Sequence, residues 1–272
     1  GAAEAHPGLR KGLVAPGLHS GVFSSIINAM MVTRTRKIHL HPRLETAAAL
    51  LNALPENAVV ADIGCDHGRL ACALLQRNET WRIASDVSAP SLEKARRLSA
   101  YIGGEGRIDI RLGDGLTVLC RGEADAVVLC GMGGERIVEL LDAADSPLMG
   151  ARLAVMQPMR GVEELRAYLY TTGYRILDDH VTEEAGRLYQ ILSAAPPCTD
   201  GERDTWPADF PVGCFSLGYR AFERRDPLCR TLARQQLLQT QKRLKTAANT
   251  GGEPVLRRKE AELLTILERW EH

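Results

Sequence analysis

From residue 40 onward, short apolar runs alternate with stretches of helical period. Residues 59–63, 82–86, 108–112, 126–130 and 153–157 have strand length and draw heavily on Val, Ile, Leu and Ala. Between most of them, residues 70–76, 91–102, 135–143 and 162–171 repeat apolar positions at helical spacing, and 44–54 forms an earlier helix ending at Pro55. Strands alternating with helices in this way predict a parallel sheet covered on both faces, a Rossmann-like α/β fold. Two further runs, 174–181 and 188–194, are joined only by 182–187, a turn-like stretch containing Gly186. A right-handed crossover needs about a dozen residues or more, so the last strand is expected to run antiparallel.

The C-terminal third changes character. Residues 196–209 are polar and proline-rich, as expected of a linker, and 226–248 and 254–270 then predict two helices separated by 249–252. Asp226 followed by Pro227 supplies an N-cap and a proline at the first helical position, while Gly251, Gly252 and Pro254 stop one helix and open the next. Leu256, Leu263, Leu267 and Trp270 share one face, which predicts an antiparallel helical hairpin or coiled coil. Residues 1–30 show neither period. Their apolar run at 21–32 lacks a signal-peptide cleavage sequence and leads into Arg34, Arg36 and Lys37, so Met30 or Met31 offers a natural start and 1–30 is expected to be a dispensable extension. The expected organisation is that extension, an α/β domain over 31–200, and a linker with a basic hairpin over 201–272.

Composition narrows the function class. With 45% hydrophobic and 25% charged residues the 272-residue chain is expected to fold, and no apolar run reaches the roughly eighteen residues of a membrane helix. Seven cysteines, none in a C-x-x-C pair, fit a reduced cytoplasmic protein better than a disulfide framework or a zinc ribbon. The formal net charge of zero conceals a split. Residues 1–45 carry six Lys/Arg against two acids, 46–219 sixteen against twenty-five, and 220–272 twelve against seven. Cationic ends around an acidic middle suit an anionic partner gripped from the edges; solvated helix faces would give the same counts.

The strongest chemical signal is Val59-Val60-Ala61-Asp62-Ile63-Gly64-Cys65-Asp66-His67-Gly68, an apolar strand running into a glycine turn and then a helix. In open parallel sheets, ligands bind at the carboxyl ends of the strands. A pyrophosphate-binding turn would read G-x-G-x-x-G. Here carboxylates at 62 and 66 would repel a pyrophosphate but favour a cationic amino acid or sulfonium, and Asp62-x-Gly64-x-x-x-Gly68 fits S-adenosylmethionine. Asp86 ends the second strand, where a carboxylate can accept both ribose hydroxyls. After the third strand, Asp114 could accept from the exocyclic amine of adenine, with Gly113 and Gly115 keeping the loop thin. The fourth strand ends in Gly131-Met132-Gly133-Gly134, either a tight strand–helix connection or a surface along which a flat base slides. Gln157 could reach a base edge, though Pro158 alone would end that strand; His67 could polarise a substrate or serve as scaffold. There is no P-loop, no H-E-x-x-H and no Ser/His/Asp ordering, so no metal is expected.

Taken in order, Asp62-Ile63-Gly64-Cys65-Asp66-His67, Gly113-Asp114-Gly115-Leu116, Gly131-Met132-Gly133-Gly134 and Gln157-Pro158 closely resemble the bacterial tRNA (adenine(22)-N1)-methyltransferase family. The likeness runs from about residue 40 to 195 and continues more weakly through the hairpin. It implies a class I methyltransferase domain with a helical C-terminal domain, S-adenosylmethionine as cofactor and tRNA as partner. By the same resemblance, Asp62, Gly64, Asp86, Asp114 and Gly115 would hold the cofactor, and Asp66 would act at the target adenine. Gly131, Met132, Gly133, Gly134, Gln157 and His67 would shape the base pocket. The basic hairpin, with Arg257, Arg258 and Lys259, and the segment 34–43 would grip tRNA phosphates. The chain departs from the family pattern at Arg69 and Ala71, where aromatic and proline residues are common, and at Met159, where asparagine is. Two other readings remain open at this point: a methyltransferase for another RNA or a small metabolite, and a non-catalytic RNA-binding module.

Overall fold

The computed structural model describes residues 37–78, 82–143, 146–197, 210, 215–246 and 251–271. The segment 1–30, Arg34, Arg36 and most of the expected linker lie outside the described residues. Seven strands form one sheet in the order β3-β2-β1-β4-β5-β7-β6. They are β1 (Val60–Ile63), β2 (Arg82–Asp86), β3 (Ile108–Leu112), β4 (Ala126–Met132), β5 (Leu153–Pro158), β6 (Arg175–Glu184) and β7 (Arg187–Ala195). The first five are parallel, and β7 runs antiparallel to both β5 and β6 between which it is inserted. The antiparallel last strand was legible from the short connection. That connection is shorter still in the fold, because the strands extend to a two-residue turn, Ala185 and Gly186, both at positive φ. Such a turn matches the twist of the strands it joins.

Helices α1 (Pro42–Leu50), α2 (Arg69–Asn78), α3 (Ala89–Tyr101), α4 (Gly134–Asp142) and α5 (Val162–Thr171) cover the sheet. Alternation along β4 shows why its run is continuously apolar. Val127 and Leu129 enter one core cluster, with Ile137 of α4 and Leu165 of α5; Ala126 and Val128 enter another, with Ala47 and Ala48 of α1. Helix α3 begins two residues before its apolar period, because Ser88 Oγ accepts the Ser91 N–H and caps it.

Three helices follow the sheet: α6 (Tyr219–Glu223), which no sequence period announced, α7 (Pro227–Thr246) and α8 (Glu253–Arg269). Asp226 Oδ1 accepts the Leu228 N–H and caps α7 as expected. Gln241 bonds Glu260 at 3.0 Å and Arg230 bonds Glu271 at 3.1 Å, so α7 and α8 run antiparallel. Leu256, Leu263 and Trp270 of the expected face are buried. The hairpin shares its core with the sheet: Leu232, Leu263 and Ile266 belong to the same cluster as Val181 and Leu192. A buried ion pair reinforces the junction. Arg166 of α5 holds Asp179 of β6 at 2.8 Å, and its Nη1 donates to the Phe215 carbonyl at 2.9 Å.

Candidate functional site

The carboxyl ends of β1, β2 and β4 meet where the strand order reverses. Between β1 and α2 the chain turns sharply, with Gly64 at φ 73°, Asp66 at 49° and Gly68 at 67°. Gly64 and Cys65 both donate their N–H groups to the Ser85 carbonyl at 2.8 Å. The Asp66 N–H donates to Asp86 Oδ2 at 2.9 Å, while Asp86 Oδ1 takes the Ser88 N–H at 2.8 Å. Asp86 thus fastens the loop to β2. Left-handed backbone at a residue with a Cβ costs roughly 1 kcal/mol. Here it turns the Asp66 carboxylate outward, 3.2 Å from Ser91 Oγ and 3.3 Å from His67 Nε2. His67 Nε2 is also 3.0 Å from Lys94 Nζ.

Asp62 is buried at the end of β1, where the Ala71 backbone donates to it. Burial, assisted by repulsion from Asp86, pushes its carboxyl up to about 7 against the opposing effect of that hydrogen bond. A buried acid at this position favours a cationic ligand. The nearby thiols do not compete as nucleophiles. Burial and the Asp62 charge raise Cys65 and Cys130 far above the ordinary thiol range and Cys72 to about 12, so all three stay protonated.

Two cavities flank Gly64. The larger, of about 500 Å³, is lined by Arg43, Asp62, Gly64, Asp66, His67 and Gly131, among others. The smaller, of about 260 Å³, is lined by Gly64, Asp86, Asp114, Gly115, Met132 and Arg136, among others. Gly64 is the thin wall between them: a Cβ there would stand 2.9 Å from Met132 Cε. The donor set suits an elongated ligand with a cationic amino-acid end near Asp62 and a nucleoside end near Asp86 and Asp114. Among the described residues no group of three His, Cys, Asp or Glu could hold a metal ion, and no helix is long and apolar enough to cross a membrane.

A family model described as a methyltransferase domain matches residues 40–192. The tRNA (adenine(22)-N(1))-methyltransferase of Bacillus subtilis strain 168 is 36% identical over 169 residues, covering 62% of this chain and 68% of that relative. The chain belongs to the tRNA (adenine(22)-N(1))-methyltransferase family. The crystal structure of the B. subtilis M1A22 tRNA methyltransferase TrmK is 28% identical, with a TM-score of 0.68 over 86% of this chain and 98% of that one. The Streptococcus pneumoniae Sp1610 structure with S-adenosyl-L-methionine, 22% identical, shares the fold at a TM-score of 0.71 over 83% and 98% of the two chains.

Within this methyltransferase framework the expected site residues divide. Asp62, Gly64, Asp66, His67 and Gly131 line the larger cavity together, and Asp86, Asp114 and Gly115 line the smaller one. Asp114 is already engaged by Arg136 of α4, which also bonds Glu139 at 2.7 Å. The other four residues expected in the base pocket have the following surroundings. Met132 lies along Gly64 in the smaller cavity, with Asp86 and Asp114. Gly134 is buried, and a Cβ there would fall 2.0 Å from the Gly161 carbonyl oxygen, so it serves the tight strand–helix connection. Gly133 faces the Arg160 side chain at 3.5 Å. Gln157 is fully buried: its Nε2 donates to the Pro158 carbonyl at 2.9 Å and its Oε1 accepts from Arg43 at 3.3 Å.

The hairpin cations divide too. Arg257 and Arg258 are exposed and pair along α8 with Glu253 and Glu262. Lys259 instead reaches Glu163 in the first turn of α5 at 2.7 Å, so it joins the hairpin to the sheet domain. Sequence reasoning placed Arg43 only within a general basic segment and passed over Arg136. Arg43 meets Gln157 and Glu184 from 114 and 141 residues away, a proximity that no local spacing encodes.

Proposed function

We propose that this chain transfers a methyl group from S-adenosylmethionine to N1 of an adenine in tRNA, adenine 22 by kinship with its family. The observation that carries the reading is the β1–α2 loop, where buried Asp62 and outward Asp66 stand on the rim of a cavity whose wall is glycine backbone. S-adenosylmethionine supplies an electrophilic methyl group on a sulfonium. Asp62 would hold its amino-acid end, with Asp86 and Asp114 at the ribose and adenine. Gly64 and Gly115 keep the trough narrow enough for backbone contact.

The remaining work falls to Asp66 and the larger cavity. Adenine N1 carries a free lone pair at neutral pH, so no base need remove a proton before attack; the chain has to hold N1 in line with the donor. The methylated base becomes cationic, and the Asp66 carboxylate, fixed by its left-handed backbone and by Ser91, stabilises the charge as it develops. A target paired within folded tRNA has to be extruded first, which costs a few kcal/mol. Arg257 and Arg258, exposed on α8, supply phosphate contacts outside the cavity.

Incubation with S-adenosylmethionine and unmodified tRNA, followed by nuclease digestion and nucleoside mass spectrometry, tests the reading. A 1-methyladenosine peak that falls sharply with Asp66→Asn, while cofactor affinity holds, is the expected result. Cofactor binding without any methylated nucleoside would exclude tRNA as substrate.

A further inference from the structure

Arg43 stands apart from the other cations of the chain. It lies in the first turn of α1, half-buried in the wall of the larger cavity, where three distant segments hold it. Its Nε is 3.3 Å from Glu184 Oε1 at the end of β6, and its Nη1 donates to Gln157 Oε1 and to Met159 Sδ at 3.3 and 3.2 Å. Its guanidinium carbon sits 5.6 Å from the ring centroid of Tyr189 on β7. Nη2 makes no hydrogen bond among the described residues. Glu184 and Gln157 keep one arginine in place in the wall of the cavity.

We propose that Arg43 binds a phosphate flanking the target adenosine and so seats the extruded nucleotide over Asp66. The inference rests on the proposed tRNA activity. Charge layout favours a phosphate over the base itself. Acids of the cavity come from β1 and its loop, where a cationic methylated base is stabilised; Arg43 and His41 come from α1 and the residue before it, and Arg69, at the start of α2, reaches the same side by donating to the His39 carbonyl at 2.7 Å. A nucleotide presents the same polarity, anionic phosphate at one end and a base becoming cationic at the other. Glu184 balances the Arg43 charge, so the guanidinium does not oppose the cation forming on the base. Arginine's planar fork also suits a phosphate oxygen pair, and fixing the side chain beforehand lowers the ordering cost of binding.

Three measurements test it. Wild-type protein is first assayed for 1-methyladenosine; failure there removes the tRNA activity, not merely the role of Arg43. With activity present, Arg43→Ala is expected to raise the KM for tRNA by about tenfold or more and to lower the slope of log affinity against log salt by about one. S-adenosylmethionine affinity by calorimetry should change less than twofold. Arg43→Lys, which keeps the charge, should retain the salt slope and recover part of the KM. Finally, tRNA carrying a neutral methylphosphonate on the 5′ or 3′ side of the target adenosine should weaken wild type at one of the two positions and leave Arg43→Ala unaffected there. An unchanged salt slope, or equal sensitivity of both proteins to each methylphosphonate, would overturn the assignment. If Arg43→Ala unfolds, Arg43→Lys decides: a salt slope reduced as far as for removal of the contact would also refute it.

Discussion

Replacing Asp62 by asparagine should make the cofactor-free protein more stable while abolishing its grip on the cofactor. The acid is buried and its pKa is raised from 3.8 to about 7 in the fold. A carboxyl with a raised folded pKa is easier to accommodate when protonated, so ionising it works against folding. At pH 8 the penalty is roughly 4 kcal/mol, from about three pKa units at about 1.4 kcal/mol each. At pH 5 the folded group is mostly neutral, and the penalty shrinks to roughly 2 kcal/mol. Asparagine keeps an oxygen for the Ala71 N–H but never carries the charge. Thermal unfolding of Asp62→Asn against wild type, without cofactor, should therefore show a gain on the order of 10 °C at pH 8 that falls by about half at pH 5. Saturating S-adenosylmethionine should raise the melting temperature of wild type alone. A variant no more stable than wild type at pH 8, or a gain that grows as the pH falls, would refute the claim that Asp62 carries an unpaid desolvation penalty.

The same residue makes cofactor binding depend on pH: affinity should fall about tenfold between pH 8 and pH 6 as Asp62 takes up a proton, with calorimetric heats that vary with the buffer's ionisation enthalpy. Arg166→Ala strands the buried Asp179 carboxylate, so the urea midpoint should drop by the equivalent of about 3–5 kcal/mol, and Arg166→Met with Asp179→Leu should recover much of it. Charge reversal of Arg257 and Arg258 together should weaken tRNA binding and reduce its salt slope by about two, with cofactor affinity by calorimetry unchanged.

How much of this was legible in sequence follows from the range of the interactions involved. Strand β4 announced itself because a strand buried on both faces is apolar along its length, whereas β3, with Asp109 and Arg111 and mostly half-exposed, was legible from its place in the strand–helix alternation. The loop proposed to hold the cofactor is equally local, since Asp62, Gly64, Asp66 and Gly68 lie within seven consecutive residues. The strand-end position of Gln157 was visible, whereas the Arg43 side chain that bonds its carbonyl oxygen arrives from α1 and was not. Lys259 looked like its neighbours Arg257 and Arg258, but its position on the helix turns it inward to Glu163. The five-residue α6 escaped notice because it is too short to show a period; the buried Tyr219 and Ala221 hold it in place.

The Arg166 junction has a consequence for how the molecule handles RNA. One guanidinium there ties α5, β6, the Gln190 side chain on β7 and the Phe215 carbonyl ahead of α6, all but the last through contacts sealed from water. Breaking such a node on every catalytic cycle would cost four hydrogen bonds around one charged group, each worth about 1.5–3 kcal/mol. The segment leading into the helices is accordingly pinned to the sheet, and Leu232, Leu263 and Ile266, which share the sheet's core, seat the helical pair on it. With Arg257 and Arg258 as the proposed tRNA contacts, their distance from the cofactor cavity is set by the fold, and the bending falls to the tRNA.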